Sequence, residues 1–87
     1  MRQDEGVGML GGSIASALPL SLVRGGDDVT VVRVRGNDAI KRHLANLGFV
    51  EGAGVHVVTS GGGNIIVLVK GARLGLDAKV AAHVLTA

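Results

Sequence analysis

Gly36-Asn-Asp-Ala-Ile40-Lys-Arg-His-Leu44-Ala-Asn-Leu47-Gly48-Phe49-Val-Glu-Gly52 is the stretch on which the fold turns. It reads as one short helix, about residues 38–47, with both ends marked. Asn37 or Asp38 is placed to cap the first turn, where backbone N–H groups lack partners. Ile40, Leu44 and Leu47 recur at i, i+4 and i+7 and form one apolar stripe. Gly48 follows the stripe, where a left-handed residue ends a helix at little cost, and Phe49 falls where a Schellman ending packs back on Leu44. Gly52 permits a second tight turn. The segment carries no catalytic group.

Everything around this helix reads as strand. Leu18-Pro19-Leu-Ser-Leu-Val23 alternates around a proline that confines it to an edge or a turn. Val29–Arg35 is β-branched and stops at Gly36. Its alternation is imperfect, since Val29 and Val31 point one way and Val32 and Val34 the other, which predicts a bulge or burial on both faces. Val55–Ser60 is the next strand, Gly61-Gly62-Gly63-Asn64 a hairpin turn, and Ile65–Lys70 the return. Residues 72–76 form a short strand. Asp77 caps a helical turn near 77–81, and His83-Val-Leu-Thr86 closes the chain as a last strand. Short strands separated by glycine turns favour a small barrel or sandwich, and a single helix is too few for a doubly wound α/β fold.

Composition excludes several functions. A chain of 87 residues is one domain with a modest core. Phe49 is its one aromatic residue, which argues against single-stranded nucleic acid and sugar binding, both of which use aromatic platforms. The absence of cysteine rules out disulfides, thiolate metal sites and cysteine nucleophiles. Arg24, Arg33, Arg35, Lys41 and Arg42 are offset by Asp27, Asp28 and Asp38, and the net charge is only +2. No nucleic-acid partner is expected. Residues 6–23 carry no charge, but glycines and Pro19 break the run, so no membrane insertion is expected. A signal peptide is disfavoured by Asp4 and Glu5 beside Arg2. Residues 1–16 are expected to be a flexible glycine-rich leader, and residues 17–87 the compact domain.

The order of elements resembles a known family. Leu18-Pro-Leu-Ser-Leu…Gly25 opens the domain, and Val31-Val-Arg-Val-Arg-Gly36 leads to Leu44-Ala-Asn-Leu-Gly-Phe-Val-Glu-Gly52. Val55-His-Val-Val, a glycine turn, Ile66-Val-Leu-Val-Lys-Gly71, Arg73-Leu-Gly-Leu-Asp77 and Ala81-Ala-His-Val-Leu complete the series. Together they resemble the FeoA family, small cytoplasmic proteins of bacterial ferrous-iron uptake, and the related carboxy-terminal domain of iron-dependent repressors of the diphtheria toxin regulator type. The resemblance spans about residues 17–87. It implies a mainly-β, SH3-like barrel of about five strands with one inserted helix, and a non-enzymatic accessory or regulatory role, docking on the cytoplasmic side of FeoB, the GTPase-coupled iron transporter. The alternative is a stand-alone iron-sensing or regulatory SH3-like domain that binds a transition metal or a regulator peptide. Gly75 departs from the family, which often has alanine there.

The candidate sites are few. His43, His56 and His83 are the only candidates for a transition-metal site, and their spacing supplies no local ligand set, so a weak Fe(II) or other divalent interaction is the most they suggest. Gly61-Gly62-Gly63 lacks the Lys-Ser/Thr and the helix of a phosphate loop. Asp27-Asp28 reads as a solvated turn. For partner binding, Leu47 and Phe49 near the helix end and Leu74 and Leu76 in the late strand are expected to form an apolar patch, with Arg42 and Arg73 as rim charges. Unpaired strand edges also make a homo-oligomer an expectation.

Overall fold

The structure, a computed structural model, describes residues 17–87. The leader assigned to residues 1–16 lies outside the described residues. Strand β1 is the pair Leu18–Pro19, followed at once by a 3-10 turn over Leu20–Leu22. Strand β2 is Asp28–Val34, helix α1 Asp38–Asn46 and β3 Gly54–Gly61. Strand β4 is Asn64–Val69, β5 Ala72–Asp77, the one-turn helix α2 Ala78–Ala81, and β6 Val84–Thr86. The six strands form one antiparallel sheet in the order β1-β6-β2-β3-β4-β5.

The mainly-β expectation holds, and only the barrel wording needs refining. Among the described residues six strands are present, the Leu18–Pro19 edge adding its own short ladder with β6 to the about five expected. The sheet is also open: no ladder joins β1 to β5, so the SH3-like architecture is a curled sheet rather than a closed barrel. The chain itself bridges the gap. Helix α2 runs directly from β5 towards β6 and packs on both β5 and the 3-10 turn.

Local chemistry explains the elements. Asn37, the N-cap of α1, accepts a 2.9 Å hydrogen bond from the Ile40 N–H. At the other end the Gly48 N–H donates to the Ala45 carbonyl and the Phe49 N–H to the Leu44 carbonyl, the paired bonds of a Schellman ending. Asp77 caps α2 by accepting from the Lys79 N–H at 2.7 Å. The β3–β4 and β4–β5 hairpins each have a two-residue loop, Gly62-Gly63 and Lys70-Gly71, with positive φ at all four positions, as type I′ turns require. The uneven alternation of β2 is a bulge: its register against β6 shifts between Val31 and Arg33.

The core lies inside the curl. Val55 and Val57 of β3, Ile65, Val67 and Val69 of β4, and Val31 and Val84 from β2 and β6 are all buried. Leu44 and Phe49 cover one end of this cluster, and Leu20 and Val23 also join it. Thr86 is the buried polar side chain, and its hydroxyl donates to the Leu18 carbonyl at 2.8 Å, tying β1 to the sheet.

Candidate functional site

Three surface depressions border the elements singled out above. The first, about 690 Å³, lies between α1 and β2 and is lined by Arg33, Val34, Lys41, Ala45, Phe49, Val50 and Glu51. It exists because the Schellman ending turns the chain sharply after α1, so that Phe49 enters the core while Val50 remains 41% exposed. The result is an apolar floor under two cationic side chains and one carboxylate. This surface was not singled out from sequence: Val34, Lys41 and Ala45 gain meaning only once α1 lies beside β2.

The second groove, about 340 Å³, is lined by Ala39, Ile40, His43, Lys79, Val80 and His83, and its surface is almost wholly apolar, the histidines and the lysine contributing mostly carbon atoms. His83 precedes β6 rather than opening it, and its carbonyl accepts from the Arg35 N–H at 2.8 Å. Gly36 makes room for this arrangement, since a Cβ there would stand 3.1 Å from Ile40 Cγ2 and 3.3 Å from His83 Nδ1. The third depression, about 460 Å³, crosses β2, β3 and β4 beside Asp28, His56, Leu68 and Lys70. Here the His56 Nδ1 lies 2.8 Å from Asp28 Oδ1, a cross-strand pair set by the β2–β3 register.

The histidines are therefore divided. His43 and His83 share one groove, and His56 pairs with Asp28 elsewhere. Among the described residues, no group of three or more His, Cys, Asp and Glu side chains is arranged to hold a metal ion.

The expected docking residues are divided too. Leu47 and Leu74 are half-buried and pack against the core from outside, and Arg42 and Arg73 are exposed. Phe49 is 1% and Leu76 7% exposed. Those two are core residues, which corrects their placement in a surface patch: Phe49 is drawn in by the helix ending and Leu76 by its inward position opposite Ile65. Among the described residues the large apolar side chains that do face solvent are Leu18, Leu22, Val50 and Leu68.

Comparison with known proteins places these features. The family model described as the FeoA domain matches residues 18–86. No curated protein gives a significant match. Among solved structures, an iron uptake regulatory protein described as FeoA aligns with a TM-score of 0.77 and 30% identity, over 80% of this chain and 95% of its own. The zinc complex of Stenotrophomonas maltophilia FeoA, described as a prokaryotic SH3 domain protein and a candidate ferrous-iron transport activating factor, aligns with a TM-score of 0.73 and 34% identity, over 82% of this chain and 91% of its own. A manganese-dependent transcriptional repressor aligns with a TM-score of 0.74 and 26% identity, over 82% of this chain but only 40% of its own.

Proposed function

The chain belongs to the FeoA domain family, and on that premise we propose that it is a non-enzymatic accessory module that acts in the cytoplasm by docking on a FeoB-like membrane GTPase transporter. The family match over residues 18–86 carries this reading, because it takes in every strand and both helices of the described domain. No helix among the described residues is long and apolar enough to cross a membrane. Iron is the cargo of the system in this reading, so the module needs no resident cofactor.

The groove between α1 and β2 is the docking surface we assign. Its floor of Val34, Ala45 and Val50 offers apolar contact, and Arg33 and Lys41 favour a partner segment that mixes aliphatic and acidic residues. The half-buried Leu47 extends the apolar rim at the end of α1. The test is capture of the transporter from native membranes by the intact chain. The wild type recovers a membrane GTPase. Val50→Asp and Lys41→Glu lose it while keeping the wild-type circular dichroism and melting temperature. Recovery of soluble proteins alone overturns the assignment to transport, whereas undiminished capture by both variants overturns only the groove.

A second reading, direct sensing of a divalent cation, draws on one observation: His43 and His83 line the same groove between α1 and α2. Two imidazoles with no carboxylate in that groove make a poor cation site, so docking is the stronger reading.

A further inference from the structure

We propose that the outer edge of β5 pairs with the same edge of a second copy of this chain, with Gly75 on the twofold axis. Among the described residues, strand β5 ends the strand order and only its β4 side is laddered. The two-residue loop Lys70-Gly71 makes Val69 and Ala72 the closing hydrogen-bonded pair of the hairpin. Antiparallel ladders alternate, so Ala72, Leu74 and Leu76 turn their backbone groups towards β4, and Arg73 and Gly75 turn theirs outward. No backbone hydrogen bond of a turn, loop or cap involves residues 72–77 among the described residues. A Cβ at Gly75 would meet nothing within 4 Å, so the outer face of the strand is open beside that edge.

The side chains identify the occupant. Antiparallel pairing centred on Gly75 sets Arg73 opposite the partner's Asp77, and Asp77 opposite the partner's Arg73. Leu74 then lies opposite the partner's Leu76. Arg73, Gly75 and Asp77 share the exposed face of β5, and Leu74 and Leu76 the core-facing side. Opposite charges therefore face each other twice on the exposed side of the joint sheet, a favourable cross-strand pairing, and the half-buried Leu74 backs the seam on the other side. The contact is isologous, so it closes at two copies. A slip of two residues sets Arg73 opposite the partner's Gly75 and loses both charge pairs, so the charges select the register. Asp77 already accepts from the Lys79 N–H through Oδ1, and its second carboxylate oxygen is left for the guanidinium. A lone charge on an edge strand guards it against pairing. Here the charge has its complement four residues along the same strand, and the guard becomes a key.

A ladder over residues 73–77 alone is a small interface, and the dimer is accordingly weak and concentration-dependent. Sedimentation velocity of the full chain over micromolar to millimolar concentrations tests it, together with amide chemical shifts over the same range. The wild type shifts from monomer towards dimer with rising concentration, the Arg73 and Gly75 amides moving most, and added salt weakens the association. Arg73→Glu sets like charges opposite Asp77 in both pairs and loses the dimer. Gly75→Pro removes an N–H that does not serve β4 and also loses it, with the monomer's circular dichroism retained. Arg73 is exposed, so its variant stands as the test if the proline variant fails to fold. A wild type that stays monomeric to millimolar concentration, a dimer that survives Arg73→Glu, or shifts centred on other strands overturns the proposal.

Discussion

Gly48 and Lys70 meet where the end of α1 lies against the β4–β5 turn: a Cβ on Gly48 would stand 2.8 Å from Lys70 Cγ. Both residues are left-handed, with φ of 108° and 51°, and Lys70 is the non-glycine residue with positive φ among those described. The helix ending and the hairpin turn thus each depend on a conformation that ordinary residues resist. Gly48→Ala is expected to destabilise the domain by about 1–3 kcal/mol, combining backbone strain with displacement of the lysine stem. In a Lys70→Gly background the same change costs less, and a double-mutant cycle by urea unfolding reads the difference as coupling.

Lys70 itself offers a stabilising substitution. Its φ of 51° suits asparagine or glycine at the first position of a type I′ turn. Lys70→Asn is expected to hold stability or raise it by up to about 1 kcal/mol, measured from the unfolding midpoint. A loss of more than that would show that the lysine stem packed over Gly48 outweighs its backbone cost.

Phe49 and Val50 are neighbours with opposite duties, which separates folding from docking. Phe49→Ala empties the largest fully buried side chain and is expected to cost about 3–5 kcal/mol. That is a large part of the roughly 5–15 kcal/mol available to a small domain, so the variant should be partly unfolded near physiological temperature. Val50→Asp alters a 41% exposed side chain and should move the melting temperature little. Leu76→Asp belongs with Phe49, since its side chain is 7% exposed. Thermal melts of the three variants check the division.

Much of this was legible in the sequence wherever a local rule decided the outcome. The Asn37 cap, the Gly48–Phe49 ending, the glycine hairpin and the Asp77 cap all follow from residues within a few positions of each other. The imperfect alternation of Val29–Val34 announced the bulge. Facts that need register or tertiary approach were out of reach. The Asp28–His56 pair exists only because β2 and β3 align those two positions, and His43 and His83 share one groove only because Gly36 leaves room where Ile40 and His83 approach it. The burial of Leu76 was missed for a like reason: alternation in Arg73–Asp77 names two faces without saying which one the curl encloses.

The Thr86–Leu18 bond ties β1, which has only two ladder pairs, to the sheet. Thr86 is 1% exposed and its hydroxyl donates to a carbonyl on a strand of only two residues. Thr86→Val keeps the shape and removes the donor, and is expected to cost about 1 kcal/mol. The loss should be local: hydrogen exchange should quicken at residues 18–20 before it quickens in β3 or β4. Uniform acceleration across the sheet would mean that β1 opens only with the whole domain.

The division of the histidines predicts how the chain meets divalent cations. His43 and His83 line one groove together with Lys79 of α2, whereas His56 is 40% exposed and bonded to Asp28. Two imidazoles without a carboxylate or thiolate give at most a loose site. Anaerobic calorimetry with Fe(II), repeated with Zn(II), is therefore expected to show weak binding that His43→Ala or His83→Ala removes and His56→Ala leaves intact. Gly36→Ala should weaken it as well, because a Cβ there would press on both Ile40 and His83. A tight, stoichiometric signal that depends on His56 instead would place the metal beside Asp28 and make the domain a sensor rather than a docking module.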